Sequence, residues 1–328
     1  MNTSNKIIWL SVLQGWSMLL VVMGHITLTN QFQDPAFPLS AFIERTIYSF
    51  HMPLFMFISG FLFYLTKISR KKRYKEILRD KARRLLLPYC FFTFCTLLIK
   101  YAFNPLMKCP VTFSLEEFIN VLTFKSNPLG EMWFVSTLFM LFLYFPVYKW
   151  TLKNKWIVFL TLIAGVLLNV YFPKDIDFLG VSKVAYFFLY FYTGILFSKL
   201  NLFTYLDNLL VSVIIFVLFI ISIFFLPTLS IPVFCVFLGI VFSICLCIIL
   251  SKHIPWLFQS FRNYTFQIFL MGIFFQMGVR FIYLKLNMEE VYWPLYILSI
   301  LLALYIPVLI AKQIQKIHSQ LLKQCFGL

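Results

Sequence analysis

Two histidines in apolar surroundings are the side chains of this chain best suited to catalysis. His25 directly follows the apolar run 19–24, and His51 lies two residues before Pro53 in a second apolar run. A neutral imidazole can take a proton from a hydroxyl group or can itself accept an acyl group. An ionisable side chain in a membrane segment is costly and usually faces a cavity or a polar partner. The alternative for both is a structural histidine that hydrogen-bonds a neighbouring helix or a backbone carbonyl.

Further polar side chains are spaced so that they lie along the same two helices. Gln14 precedes His25 by 11 residues, so both project from one helix face about 16 Å apart along the axis. Pro53 removes a backbone donor and predicts a kink just after His51. Ser59 is followed by a glycine, which permits close approach of a neighbouring helix. We expect these side chains to line a path or a cavity; the alternative is hydrogen bonding between helices.

Glu131 and Trp133 begin a later apolar run. An acidic residue there can simply favour a helix N-terminus, and tryptophan is common at a membrane interface. No spacing of serine, histidine and aspartate suggests a hydrolytic triad, and no phosphate-binding glycine loop or zinc-protease motif occurs. The seven cysteines form no CxxC pair, so we interpret them as small apolar side chains and predict no metal site.

One segment, residues 67–84, concentrates positive charge, with ten basic residues and two acidic ones. A helical segment could direct several of these cations towards one ligand, such as a cytosolic anion with several phosphates. The alternative is a topology anchor attracted to anionic lipid headgroups. The cations that fall within three helical turns are Lys75, Arg79, Lys81, Arg83 and Arg84.

The composition indicates that these segments belong to a membrane protein. Of the 328 residues, 61% are hydrophobic and only 12% are charged, against about half and about a quarter in soluble proteins. So few charges cannot cover a water-soluble particle. The composition excludes a disordered chain, a disulfide scaffold and a soluble binder of nucleic acid, despite the net charge of +16. We predict an integral protein of the lipid bilayer with no nucleic-acid partner.

The apolar runs are long enough to cross a bilayer as helices, which takes about 20 residues each. We predict an all-α fold of about ten transmembrane helices in one bundle, a single domain over residues 1–328 with no cleavable signal peptide. The fifth and sixth runs are short, and Leu226-Pro227 divides the seventh from the eighth. The stretch 104–130 could form an interfacial helix. The predicted spans lie near 7–29, 41–66, 85–103, 131–149, 156–172, 182–198, 207–226, 231–250, 263–284 and 292–311.

The distribution of basic residues predicts the orientation of the bundle. Ten spans bring both termini to one side of the membrane. If that side is the cytoplasm, the inner segments contain 20 basic and three acidic residues, and the outer segments contain eight basic and nine acidic residues. Cytoplasmic segments carry the surplus of lysine and arginine. We therefore expect cytoplasmic termini and a cytoplasmic basic segment at 67–84.

Four segments together resemble the membrane-bound acyltransferase family 3, which includes bacterial O-acetyltransferases of surface polysaccharides. The similarity covers nearly the whole chain, and its specific part lies within residues 9–145. The matching segments are Gly15 with His25, the Phe-His-Met-Pro-Leu-Phe and Ile-Ser-Gly-Phe-Leu stretch at 50–62, Arg84-Leu85-Leu86-Leu87-Pro88-Tyr89, and Trp133-Phe134.

The resemblance implies transfer of an acyl group, usually acetyl, from cytosolic acyl-CoA to a hydroxyl of a surface glycan or lipid-linked sugar. It implies acetyl-CoA as a donor substrate, no tightly bound cofactor, a site in the cytoplasmic membrane and glycan-assembly proteins as partners. His25 would be the catalyst. The donor would be bound by Gln14, Arg79, Lys81, Arg83 and Arg84. The cavity would be lined by His51, Ser59, Tyr89, Glu131 and Trp133.

Two positions depart from the family pattern. Gln14 stands where the family commonly has arginine, and Met271 stands where many members have histidine. Glutamine keeps the capacity to hydrogen-bond but loses the positive charge. The alternative function is therefore a transporter or export component for a polysaccharide or lipid-linked sugar, with a degenerate acyltransferase site. A structural or scaffolding membrane protein is the third hypothesis.

Overall fold

The computed structural model describes residues 3–102, 114–225 and 233–328, and the predicted all-α class is confirmed there. Two five-residue π-helical turns, Tyr64–Ile68 and Ala82–Leu86, extend α3 and join α4 to α5. The α-helices of the described residues are α1 (Thr3–Gly24), α2 (Pro38–Tyr48), α3 (His51–Phe63), α4 (Tyr74–Lys81), α5 (Leu87–Ala102), α6 (Leu115–Leu122), α7 (Trp133–Leu143), α8 (Phe145–Thr151), α9 (Lys155–Tyr171), α10 (Val181–Lys199), α11 (Leu209–Phe225), α12 (Val233–His253), α13 (Thr265–Leu286), α14 (Tyr292–Lys316) and α15 (Gln320–Cys325).

The helices have the length and composition of a multi-pass membrane protein. Within the described ranges, six helical segments are long and apolar enough to cross a bilayer, a bent pair adds a seventh, and three apolar helices are shorter. The side chains of α11 remain largely exposed, Leu209 by 70%, as expected for a surface that faces lipid. The six long segments are Pro38–Ile68, Tyr74–Ala102, Phe178–Lys199, Val233–His253, Arg262–Leu286 and Glu289–Lys316.

The first predicted span, 7–29, is longer than the helix it forms. Helix α1 ends at Gly24, so His25 lies just after the helix instead of inside it. The end of a helix leaves carbonyl groups without an intrahelical donor. The side chain of Gln276, on α13, donates to one of the last carbonyls of α1, that of Val22, at 2.7 Å.

The second predicted span, 41–66, is interrupted at Ser49 and Phe50, just before His51 and not just after it. Pro53 is the third residue of α3. The first N–H groups of a helix have no intrahelical partner, so the donor that proline lacks is not missed there. The proline therefore belongs to a helix start and does not bend a continuous helix.

The fourth predicted span, 131–149, consists of the bent pair. Its two parts, Gly130–Leu143 and Phe145–Thr151, differ in direction by 52°. The expected interfacial helix lies partly outside the described residues, but its later part contains α6, where Ser114 accepts a hydrogen bond from the Glu117 N–H at 3.1 Å. The division at Leu226-Pro227 lies outside the described residues.

The chain divides into two compact units: Met1–Ile58 with Leu200–Ile317, and Ser59–Lys199 with His318–Leu328. In the first unit, α1 packs against α2, α12 and α13, and α13 packs along α14. In the second, α10 packs against α7 and α9, and α15 packs against α5. The single domain over the whole chain stays a prediction.

Glycines allow the closest helix contacts within each unit. In the first unit, a Cβ on Gly15 would lie 2.5 Å from the Cβ of Phe258. In the second, a Cβ on Gly60 would lie 2.0 Å from the carbonyl oxygen of Phe191 on α10. Residue 60 therefore supplies the close helix approach expected beside Ser59.

Candidate functional site

Three rings of the first unit meet where α1 and α2 end and α3 begins. The Nδ1 atom of His25 lies 3.0 Å from the hydroxyl oxygen of Tyr48. The ring centres of His25 and His51 are 6.0 Å apart, and those of Tyr48 and His51 are 4.8 Å apart. The structure therefore brings the two histidines together. Tyr48 was missed by the sequence analysis, although its spacing of three residues from His51 was an available signal.

The contact with Tyr48 links the chemistry of His25 to the position of one proton. If Nδ1 carries the proton and donates it to the tyrosine oxygen, Nε2 keeps a lone pair and can accept a proton from a hydroxyl group. If the tyrosine donates instead, Nε2 carries the proton and cannot act as a base. A partner on one imidazole nitrogen thus decides what the other nitrogen can do.

A glycine allows α2 to approach the end of α1. A Cβ on Gly24 would lie 3.0 Å from Cγ2 of Ile47 and 3.4 Å from Cε2 of Tyr48. A side chain at residue 24 would press on Ile47 and would touch the ring that reaches His25. The close approach of the two helices thus supports the histidine–tyrosine contact.

His51 is 1% exposed and has a hydrogen-bond partner at one ring nitrogen. Its Nδ1 lies 2.8 Å from the carbonyl oxygen of Ile47. Because a carbonyl only accepts, Nδ1 must be the donor. Nε2 is buried and has no hydrogen-bond partner among the described residues, and in the neutral ring it carries a lone pair. His51 makes the backbone contact of a structural histidine, and its second ring nitrogen keeps a lone pair in the ring that lies beside His25.

A buried carboxylate that the sequence analysis did not select lies one turn before Tyr48. Glu44 is 3% exposed, and its Oε2 accepts a hydrogen bond from the N–H of Gln33 at 2.9 Å. The hydroxyls of Ser40 and Tyr292 lie 2.6 Å apart. Ser40, Glu44 and Tyr48 recur every four residues along α2, and this spacing was the available signal for a polar helix face.

The basic segment of the second unit is helical along α4, and its cations have different surroundings. The Nζ of Lys67 lies 2.6 Å from one carboxylate oxygen of Asp80, and the Nε of Arg84 lies 3.2 Å from the other. The Nζ of Lys81 lies 3.9 Å from the ring centre of Phe142 on α7, a cation–π contact. Arg84 therefore shares a carboxylate, and Lys81 turns towards an aromatic ring.

Arg79 and Arg83 are exposed and form no ion pair with any residue that the structure describes. They are four positions apart, so they lie near one another along the helix. Of the predicted donor-binding arginines, these two are exposed without a carboxylate partner among the described residues. Gln14 lies on α1, in the first unit.

Two of the predicted cavity residues, Tyr89 and Trp133, line one pocket of the second unit, with a volume of about 50 Å³. Ser59 and Glu131 are not among the residues that line it. The pocket also contains two lysines that the sequence analysis did not select. The other lining residues are Phe124, Lys125, Ser126, Asn127, Gly130, Ser136 and Lys183.

Comparison with known proteins gives matches in sequence. The model of a family described as an acyltransferase domain, type 3, matches residues 7–312. Nodulation protein NolL of Mesorhizobium japonicum is 31% identical over 144 residues, which are 43% of this chain and 36% of that protein. Nodulation protein NolL of Sinorhizobium fredii is 28% identical over 207 residues, 60% of this chain and 50% of that protein. The chain thus spans between about a third and a half of these relatives. No solved structure matches it significantly.

Proposed function

This chain belongs to the acyltransferase family 3, and from that premise we propose that it is a membrane O-acyltransferase. It moves an acyl group, most simply acetyl, from acyl-CoA to a hydroxyl of a surface glycan or lipid-linked sugar. The observation that carries the proposal is the 3.0 Å contact between Nδ1 of His25 and the hydroxyl of Tyr48. With Nδ1 as the donor, that contact orients the ring and gives its other nitrogen the lone pair that a base needs.

In the proposed step, Nε2 of His25 takes the proton of the acceptor hydroxyl, and the oxygen of that hydroxyl attacks the carbonyl carbon of the thioester. The new C–O bond forms, the C–S bond breaks, and the sulfur leaves with its electron pair. The imidazolium then returns the proton to the sulfur, which releases CoA as a thiol. Throughout this cycle the Nδ1–H of His25 donates to the oxygen of Tyr48.

The donor is held by its phosphates in this proposal. Arg79 and Arg83 are exposed, and neither is engaged by a carboxylate of the described residues. Arginine presents a planar set of donors that matches phosphate oxygens. Arg84 and Lys81 add positive charge close by, although Asp80 partly offsets that of Arg84.

We also propose that the chain crosses the cytoplasmic membrane ten times, with both termini in the cytoplasm. The six long segments, the bent pair and the three shorter apolar helices of the described residues can supply ten crossings. In that orientation the basic segment lies on the side where CoA is available, as the distribution of charge favours. Proteins of glycan assembly are the expected neighbours.

The test uses the purified full chain in lipid nanodiscs with radiolabelled acetyl-CoA and the glycan of the native cell surface. We expect His25→Ala to abolish transfer of label to the glycan. The matched control is His318→Ala, because His318 is an exposed histidine outside the three-ring site. Full transfer by His25→Ala would refute the proposal.

The alternative of a transporter or export component is favoured by Gln14 and Met271, the two departures from the family pattern. Met271 is buried in α13, where it offers no proton-transfer group. Deletion in cells separates the two functions. An enzyme leaves the glycan at the surface in normal amount but without its acyl groups, whereas a transporter leaves it inside the cell.

A further inference from the structure

The pocket lined by Tyr89 and Trp133 contains two lysines and no acidic residue. The Nζ of Lys183 lies 5.5 Å from the ring centre of Trp133. Neither Lys125 nor Lys183 forms an ion pair with a residue in the described ranges. Two cations without a counter-charge produce a positive local potential, which favours an anionic ligand.

The walls of this pocket are held in place by hydrogen bonds. The side chain of Asn127 donates to the hydroxyl of Thr93 at 2.7 Å and accepts from the N–H of Leu129 at 2.9 Å. The hydroxyl of Tyr89 donates to the carbonyl of Val121 at 2.9 Å. These bonds tie the loop after α6 to helix α5. The pocket is therefore preformed, and a ligand would lose little free energy in ordering it.

The remaining lining suits contact with part of a sugar. Trp133 is stacked on Phe187 with ring centres 5.3 Å apart, which fixes an aromatic surface in the wall. Aromatic rings bind the apolar faces of ligands, while a few polar groups determine orientation. The hydroxyl of Ser136 donates to the carbonyl of Trp133 at 3.0 Å, so its lone pairs remain available to accept from a ligand hydroxyl.

The size of the pocket limits the ligand to a small group. Its volume of about 50 Å³ lies far below the range of about 300–1,000 Å³ typical of pockets for drug-sized ligands. The pocket therefore takes one small anionic group, and the rest of the sugar lies at its opening.

We propose that this pocket binds the acceptor through one anionic sugar residue, with Lys125 and Lys183 as its cations. The proposal rests on the proposed function, in which a glycan or lipid-linked sugar is the acceptor. In the proposed orientation both lysines belong to the eight basic residues of the outer side. The anionic group is a carboxylate on the sugar itself or a phosphate attached to it, and the two sources need separate probes.

The experiment measures binding without any acyl donor. The full chain in nanodiscs is titrated with glucuronic acid, glucose 1-phosphate and glucose, and binding is followed by saturation-transfer NMR of the sugars. We expect one of the anionic sugars to bind about tenfold or more tightly than glucose, as for a charge-assisted hydrogen bond. Preference for glucuronic acid identifies a carboxylate acceptor, and preference for glucose 1-phosphate identifies a phosphate-bearing one.

Variants locate the binding. Lys125→Gln and Lys183→Gln should each weaken binding of the anionic sugar about tenfold. Lys174→Gln, an exposed lysine of the same unit that does not line the pocket, should leave it unchanged. The proposal would be overturned if the unaltered protein bound glucose and both anionic sugars equally. It would also be overturned if Lys174→Gln weakened binding of the anionic sugar as much as Lys125→Gln and Lys183→Gln do. Because no acyl transfer is measured, failure here leaves the proposed enzyme intact, and a neutral acceptor would then be indicated.

Discussion

The hydroxyl of Tyr48 lies 3.0 Å from Nδ1 of His25, although the two residues belong to different helical segments. This contact exists because α1 ends at Gly24 and leaves His25 at the helix terminus, where Tyr48 at the end of α2 can reach it. In the proposed mechanism the tyrosine acts as a positioning residue for the imidazole and does not need to touch the substrate.

Tyr48→Phe should lower kcat and leave KM unchanged. The phenyl ring keeps the edge-to-face contact with Phe32, whose ring centre lies 4.9 Å away. The hydrogen bond to His25 is lost, so the imidazole can turn and change its tautomer. We expect kcat to fall about tenfold or more, measured as the initial rate of acetyl transfer.

The matched control for this variant is Tyr205→Phe. Tyr205 is 75% exposed, so removal of its hydroxyl tests for a general effect of the substitution. A rise in KM with kcat unchanged in Tyr48→Phe would indicate that the tyrosine binds substrate and does not position His25.

His51 should show separable structural and chemical roles. His51→Ala removes the donor to the Ile47 carbonyl at the break between α2 and α3, which should cost about 1–3 kcal/mol of stability. His51→Asn keeps a donor but lacks the second ring nitrogen. We expect Asn to recover most of the Tm lost in Ala while transfer remains slow, because the second ring nitrogen beside His25 is gone. Equal transfer by Asn and the unaltered protein would leave His51 with the structural role alone.

The helices of this protein follow from local sequence because each long apolar run satisfies its own backbone by forming a helix. The predicted spans 156–172 and 182–198 differ by one residue at each end from α9 and α10. Where a run is interrupted, tertiary contacts decide. The end of α1 at Gly24 accompanies a hydrogen bond from Gln276, which is 254 residues away from Val22.

The same distinction applies to the candidate site. His25 and His51 stand out because an imidazole in an apolar run is chemically conspicuous. Lys183 does not stand out, since it is one of many lysines in the chain. Lys183 becomes a candidate because it lies over the ring of Trp133, which is 50 residues earlier in the chain. Residue spacing within one helix cannot indicate such a contact.

The exposed arginines of the basic segment should affect donor binding and not the chemical step. Arg79→Gln with Arg83→Gln should raise KM for acetyl-CoA about tenfold, reduce its dependence on salt, and leave kcat unchanged. The control for each of the two single substitutions is Arg73→Gln, which removes one positive charge from an arginine already paired with Glu76 at 2.6 Å. If the double variant alters only the amount or orientation of protein in the membrane, the segment is a topology anchor.

The contact of Gly60 with α10 should make this residue intolerant of any side chain. In Gly60→Ala the new Cβ would lie 2.0 Å from the carbonyl oxygen of Phe191, a backbone atom that cannot rotate away as a side chain would. Helices α3 and α10 would have to separate, at a cost near the upper end of about 1–3 kcal/mol for overpacking. Gly130→Ala is the control, because nothing lies within 4 Å of its Cβ position. We expect a lower Tm in nanodiscs for Gly60→Ala alone, and equal melting of the two variants would show that α3 and α10 do not pack this closely.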